Sequence, residues 1–203
     1  MAKSADRRAS AEKQFKSNNL DVEFVQAFDA KTKGVKHSSK SVFTEGMIGC
    51  HISHERLIEE ISRRTDIDIA VIFEDDIKIE SWSFDPLSIP DDWDIAFLSW
   101  YSSGKFRTES VNENWLSLHE GWPWGFHNYA IKQKSAKKIL DVISVIDGQV
   151  DVEVIKGSKE GKIKAYYAKK LHSQQIGIFE TTVQPTNVKH PMIKPIWKNP
   201  KSI

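Results

Sequence analysis

The chain has 203 residues, enough for one domain of ordinary size with a buried core. Lysine and arginine total 29 against 28 aspartate and glutamate, so no global field argues for a nucleic acid or an acidic polymer as partner. The only cysteine, Cys50, excludes an internal disulfide framework and a cysteine-rich zinc site, and no apolar run approaches the ~20 residues that span a bilayer. The start also lacks the apolar centre of a secretion signal, so the expected compartment is the cytoplasm.

Residues 4–18 carry Ala, Arg, Lys, Glu and Gln at helix-favouring density, with Ala5, Ala9 and Phe15 on a narrow apolar face, and predict a first helix. Residues 22–28 alternate and predict a strand; residues 29–41 are polar and Lys-rich, contain Gly34, and predict a loop. Thr44, Glu45 and Gly46 open a second helix running to about Arg64, where Ile48, Ile52, Leu57, Ile58 and Ile61 recur near helical spacing. The near-continuous apolar run at 67–73 then predicts a strand buried on both faces, stopping at three carboxylates.

Pro86, Pro90 and Asp91-Asp92 mark turns before a second buried run at 95–100, and 101–114 reads as polar and irregular. Residues 121–131 predict an aromatic turn and a strand, 135–145 a capped amphipathic helix, and 163–168 a late strand. Helices alternating with buried strands predict a single α/β domain over 1–187, with a mostly parallel sheet and helices on both faces. Residues 188–203 form a basic, Pro-rich tail, read as a solvated extension or as a peripheral contact with an anionic inner-membrane face.

In open α/β sheets ligands collect beyond the carboxyl ends of strands, which is where Glu74-Asp75-Asp76 is predicted to sit. Three adjacent carboxylates repel one another unless a cation, basic side chains or backbone donors neutralise them, and carboxylate oxygens suit Mg²⁺ or Mn²⁺. A solvated strand end is the competing reading. Alternation along an extended chain assigns Glu74 and Asp76 to the metal and turns Asp75 the other way, toward donor hydroxyls.

The triplet has a context. Gly46-Met47-Ile48-Gly49-Cys50-His51-Ile52-Ser53-His54, a helical stretch, and then Ala70-Val71-Ile72-Phe73-Glu74-Asp75-Asp76 resembles glycosyltransferase family 25, with its G-x-x-G-C-x-x-S-H segment, apolar strand and E-D-D. Asp6-Arg7-Arg8, the segment from Val25 to Asp29, Trp124 to Ile131 with Ala136-Lys137-Lys138, and Val150-Asp151 are similar to further family segments, so the resemblance runs from about Ala5 to Gln175. It implies a GT-A type fold, a nucleotide-activated hexose donor such as a UDP-hexose, Mn²⁺ or Mg²⁺ at the triplet, and inversion at the anomeric carbon. The family's apolar strand before D-R-R is missing here, which leads us to expect an upstream start.

Sugar transfer needs a stabilised diphosphate, an exposed anomeric carbon and a deprotonated acceptor. From the matched positions, Asp151 is expected as the base, with a helix cap as its competing role. Arg7, Arg8, His54, Asp75, Trp124 and Gly125 are expected to bind the donor. Arg7, Arg8 and Lys105 would serve the diphosphate if no cation is used. His51 is read as structural and Cys50 as a packed apolar residue; at least one of Trp100, Trp122 and Trp124 is expected at the cleft. The acceptor stays open between a glycan, a protein hydroxyl and a base in DNA. A metal-dependent sugar-nucleotide hydrolase and a non-catalytic binding module are the alternative classes.

Overall fold

The computed structural model describes residues 2–30, 44–79, 81–102, 106–146 and 148–175, so residues 31–41 of the expected loop, Lys105 and the basic tail lie outside them. The first helix, α1 (Ala2–Ser17), forms where composition predicts it and buries Ala11 and Phe15. Helix α2 (Glu45–Arg63) starts at Thr44, whose Oγ1 accepts the Met47 backbone N–H at 3.2 Å. Its buried side carries Ile48, His51, His54, Ile58 and Ile61, so two histidines share the apolar stripe.

Strand β1 (Ile69–Phe73) leads into the triplet and then β2 (Ile77–Lys78). There follow β3 (Ile95–Phe97), β4 (Tyr101–Ser102), β5 (Arg107–Ser110), β6 (Trp115–Glu120), β7 (Pro123–Trp124), β8 (Asn128–Lys132), α3 (Ala136–Ile143), α4 (Val150–Lys159), β9 (Ala165–Ala168) and β10 (Gln174–Gln175). The main sheet has the order β1-β8-β3-β9-β6-β5. Only β3 and β9 pair in parallel; β1–β8, β8–β3, β9–β6 and β6–β5 are antiparallel.

The expected mostly parallel sheet is therefore corrected to a largely antiparallel one. A run that is apolar on both faces reports that both faces are covered; it does not report which way the neighbours run. The reversal comes from β8, which inserts between β1 and β3. Both of those strands oppose β8 and so run the same way as each other, and β9 runs with β3. Their carboxyl ends share one edge of the sheet with the amino end of β8. The ribbons β2–β10 and β4–β7 extend the chain beyond that edge.

Alternation sorts the strands into two cores. Ile72, Ile95, Phe97, Tyr129, Ile131, Ala165 and Tyr167 face α2, α3 and α4 through Ile58, Ile61, Ile139, Ile143, Val150 and Val154. Ala96, Leu98, Ala130, Tyr166 and Ala168 point the other way, to Ile89 and Trp93, with Trp82 and Phe84 against them. Helices on both faces were expected; among the described residues these three helices cover one face, and the segment from Trp82 to Trp93 covers the other. Helix α1 packs instead on β2, through Phe15, Ile77 and Phe73.

Three local expectations also change. Among the described residues, 22–28 join no ladder: Val22 and Phe24 pack with Phe15, and the Phe28 N–H donates to Ser53 Oγ at 2.8 Å. The stretch read as irregular holds β5, which pairs with β6. Ser135 makes no helix-capping bond, because its Oγ donates to the buried Asp94 carboxylate at 2.7 Å.

Candidate active site

Glu74 leaves the end of β1 with its backbone N–H donated to the His127 carbonyl at 2.8 Å, which ties it to the start of β8. Its Oε1 faces His54 Nε2 at 3.3 Å and accepts the Cys50 thiol at 3.7 Å. His54 spends its other nitrogen on the Tyr129 hydroxyl, at 2.9 Å. A carboxylate can only accept, so Nε2 carries the proton and Nδ1 accepts from Tyr129. Burial would raise the Glu74 carboxyl, but the hydrogen bond from His54, with the positive charge of Arg7 further off, holds it below the usual carboxylate value.

Asp75 and Asp76 lie in a turn rather than on a strand, so strict alternation does not govern them. One Arg7 nitrogen, reaching in from α1, meets Asp75 Oδ1 at 2.6 Å and Asp76 Oδ2 at 2.8 Å. The two carboxylates therefore converge, against the expectation that Asp75 turns away. Gln175 Nε2 on β10 donates to Asp76 Oδ2 at 3.1 Å, while Asp76 Oδ1 is buried without a hydrogen-bond partner among the described residues. Burial and the charge of Glu74 push the Asp76 carboxyl up to about 6, against Arg7 and Gln175.

Asp151 is buried in the first turn of α4, two residues past the capping position, which Gln149 occupies. Its Oδ2 accepts the Gly125 N–H at 3.1 Å and its Oδ1 the Val152 N–H at 2.9 Å. Burial raises its carboxyl, and the charge of Glu74 adds to that rise. Gly125 follows Trp124 of β7 with φ 115, and a Cβ on it would lie 2.9 Å from the His127 ring. Tyr101 of β4 stacks on His127 at 5.1 Å and takes the Gln175 N–H on its hydroxyl at 2.8 Å. Burial drops the His127 ring to about 4, so it is neutral.

The structure thus brings Arg7, His54, Glu74, Asp75, Asp76, Gly125 and Asp151 into one neighbourhood. Arg8 is elsewhere: its Nε binds Glu12 at 2.8 Å and its guanidinium lies 4.4 Å over the Phe24 ring. His51 donates from Nε2 to the Ile143 carbonyl at 2.8 Å, a packing role. Trp100 donates to the Ala168 carbonyl at 2.9 Å, and Trp122 lies under the Lys159 ammonium at 3.7 Å. Sequence reasoning did not single out Tyr101, His127, Tyr129 or Gln175; the one signal for His127 was its place two residues after a glycine expected to admit close approach.

Cys50, His54 and Glu74 offer three ligand atoms within 4.8 Å of one another. As built they satisfy each other, and burial keeps the thiol protonated, so that trio suits a soft ion poorly. The buried Asp76 Oδ1, without a hydrogen-bond partner among the described residues, is an oxygen donor of the kind that hard cations take. Among the described residues no helix is long and apolar enough to cross a membrane.

The family model described as Glycosyltransferase family 25 (LPS biosynthesis protein) matches residues 1–109, more than half of the 203-residue chain. That span holds Arg7, Cys50, His54 and the triplet, and stops before Gly125, His127 and Asp151. No curated protein matches the chain. With its acidic triplet clamped between α1, α2 and the mouth of the sheet, and with the family's model covering those residues, the chain belongs to glycosyltransferase family 25 and is a glycosyltransferase.

Proposed function

We propose that the protein moves a hexose of the galactose or glucose class, in a GT-A arrangement and with inversion, from a nucleotide diphosphate such as a UDP-hexose to a hydroxyl of a glycan acceptor. The family's description as an LPS biosynthesis protein supports a saccharide as acceptor. The observation that carries the reading is the triplet itself: the Asp75 and Asp76 carboxylates converge on Arg7 next to Glu74, and one buried oxygen of Asp76 has no hydrogen-bond partner among the described residues. An unpaired buried carboxylate oxygen is costly, and a cation-bridged diphosphate removes that cost.

Glu74 and Asp76 would hold Mn²⁺ or Mg²⁺, which supplies positive charge to the departing diphosphate. His54 keeps Glu74 ionised and aimed, and Asp75 binds donor hydroxyls. Trp124 and Gly125 shape the sugar side of the cleft. The acceptor oxygen attacks the anomeric carbon as the bond to the diphosphate oxygen breaks, and Asp151 takes the acceptor proton. Its raised carboxyl suits a base at neutral pH better than an ordinary aspartate would. A cation-free version is favoured by Arg7, which already neutralises Asp75 and Asp76 and could turn to the diphosphate.

Calorimetry with UDP-hexoses in the presence of Mn²⁺ tests the reading, and binding is expected. Absence of nucleotide-sugar binding would remove it in favour of a binding module. Donor hydrolysis that no added acceptor alters would turn it into a hydrolase.

A further inference from the structure

His127 stands out among the buried polar groups. The residue is 1% exposed, and neither Nδ1 nor Nε2 has a hydrogen-bond partner among the described residues. Two unsatisfied ring nitrogens are costly in a folded core, and a packed phenylalanine would fill the same space without that cost. The backbone is shaped around this ring: Gly125 takes φ 115, and no Cβ fits there because His127 Cε1 and Nδ1 would be 2.9 Å away. A histidine kept unpaired, beside a glycine that makes room for it, is the pattern of a recognition group.

Its position narrows what it recognises. The His127 carbonyl accepts the Glu74 N–H, so the residue adjoins the triplet. Its ring abuts Gly125, whose N–H is held by Asp151. His127 thus lies between the groups read as gripping the diphosphate and the group read as taking the acceptor proton. In a single displacement the transferred sugar occupies that interval. A neutral imidazole offers one N–H and one lone pair, the complement of a sugar hydroxyl or a neighbouring pair of them. Access needs the cover to move, and Tyr101 is part of that cover: it is half-buried, on a two-residue strand, stacked on His127 at 5.1 Å and held at its hydroxyl by the Gln175 N–H.

Resting on the proposed donor site, we propose that His127 reads a hydroxyl of the transferred hexose, with Tyr101 swinging off its ring when the donor binds. The class of ligand is a hexose on a nucleoside diphosphate. The specificity this gives is large, because a buried polar group left unpaired by the wrong sugar is penalised, whereas an apolar wall discriminates weakly.

The test measures binding of UDP, UDP-galactose, UDP-glucose and their deoxyfluoro analogues, substituted at each ring position in turn, to wild type and to His127→Phe. UDP is expected to bind both proteins alike. At one ring position the wild type is expected to lose roughly tenfold or more in affinity, and His127→Phe to show no further loss there. Equal losses in the two proteins, or no loss at any position in wild type, would overturn the inference while leaving UDP binding, and so the donor site, standing. If wild type binds no UDP, the donor reading has failed and the inference falls with it. Should His127→Phe not fold, His127→Asn takes its place. In the wild type, the His127 ring nitrogen resonances should shift with UDP-hexose and not with UDP; an unshifted ring counts against the role.

Discussion

His54 and Glu74 face one another at 3.3 Å, Nε2 to Oε1, from the buried stripe of α2 to the mouth of β1. The histidine is committed on its other side to Tyr129, so it holds the carboxylate and contributes no free donor to a ligand. His54→Ala strips a partly buried carboxylate of its main partner and should cost roughly 1–3 kcal/mol of stability, read by urea unfolding. His54→Gln, which can keep one donor on Glu74, should cost less. Equal stability in wild type and His54→Ala would show that the pair holds nothing.

The same pair sets an acid limit. Glu74 binds its proton less tightly folded than unfolded, so its contribution is present above the unfolded carboxylate value of about 4.3 and is lost as pH falls through the lower folded value. Asp76 works the other way. Its carboxyl sits at about 6 folded against about 3.9 unfolded, so the protein is favoured by acid across that interval and loses this contribution as pH rises through 6. The buried His127 ring opposes this, since it sits at about 4 folded against about 6.5 unfolded and favours the folded protein as pH rises. The Asp76 contribution is therefore read as a difference: cation-free wild type should lose stability relative to Asp76→Asn as pH rises from about 4 through 6. A difference in melting temperature between wild type and Asp76→Asn that stays constant from about pH 4 to 7 would contradict the assignment.

Asp76→Asn follows from the same asymmetry. Removing a buried, repelled charge should leave the cation-free protein at least as stable as wild type at pH 7, while turnover falls by more than about a hundredfold. Turnover near normal in the purified variant would remove Asp76 from the machinery.

Much of this was legible in the residues, for reasons that also explain what was not. The triplet could be placed because an apolar run that ends in carboxylates must leave the core there, and α2 because its apolar spacing and Thr44 cap are local properties. Strand direction is not local. β8 reads the same whether it joins β1 in parallel or antiparallel, and only the fold puts Asn128 opposite Phe73. The turn at Asp75 and Asp76 was missed because alternation was extended past the end of β1 at Phe73, and the convergence of both on Arg7 depends on where α1 packs. β5 is polar enough to read as loop, and it forms because β6 gives it a ladder partner.

Arg7 separates the cation-dependent from the cation-free chemistry. If the guanidinium serves only to hold Asp75 and Asp76, Arg7→Ala should weaken donor binding by roughly tenfold, with excess chelator abolishing activity in wild type and variant alike. If it takes the place of a cation, wild type should keep its activity in chelator and Arg7→Ala should lose it. Arg7→Lys should restore little, since one guanidinium nitrogen reaches both carboxylates and a shorter, unforked ammonium does not reproduce that placement.

Gly125 is the point where backbone and chemistry meet. Gly125→Ala puts a Cβ 2.9 Å from His127 at φ 115, a region closed to most side chains, and should cost about 1–3 kcal/mol or more in stability. Asp151→Asn tests the other side of the same contact. Both Asp151 oxygens accept backbone N–H groups, so an amide must turn its NH₂ toward one of them and lose that bond. If Asp151 only props up the Gly125 turn, the two variants should lose activity together, with donor affinity falling in each. If it takes the acceptor proton, Asp151→Asn should bind UDP-hexose as wild type does while transfer drops by about a hundredfold or more. The raised carboxyl of Asp151 then predicts a transfer rate in wild type that falls with acid at a higher pH than an ordinary aspartate would give, and a limb that is absent from the residual activity of the variant.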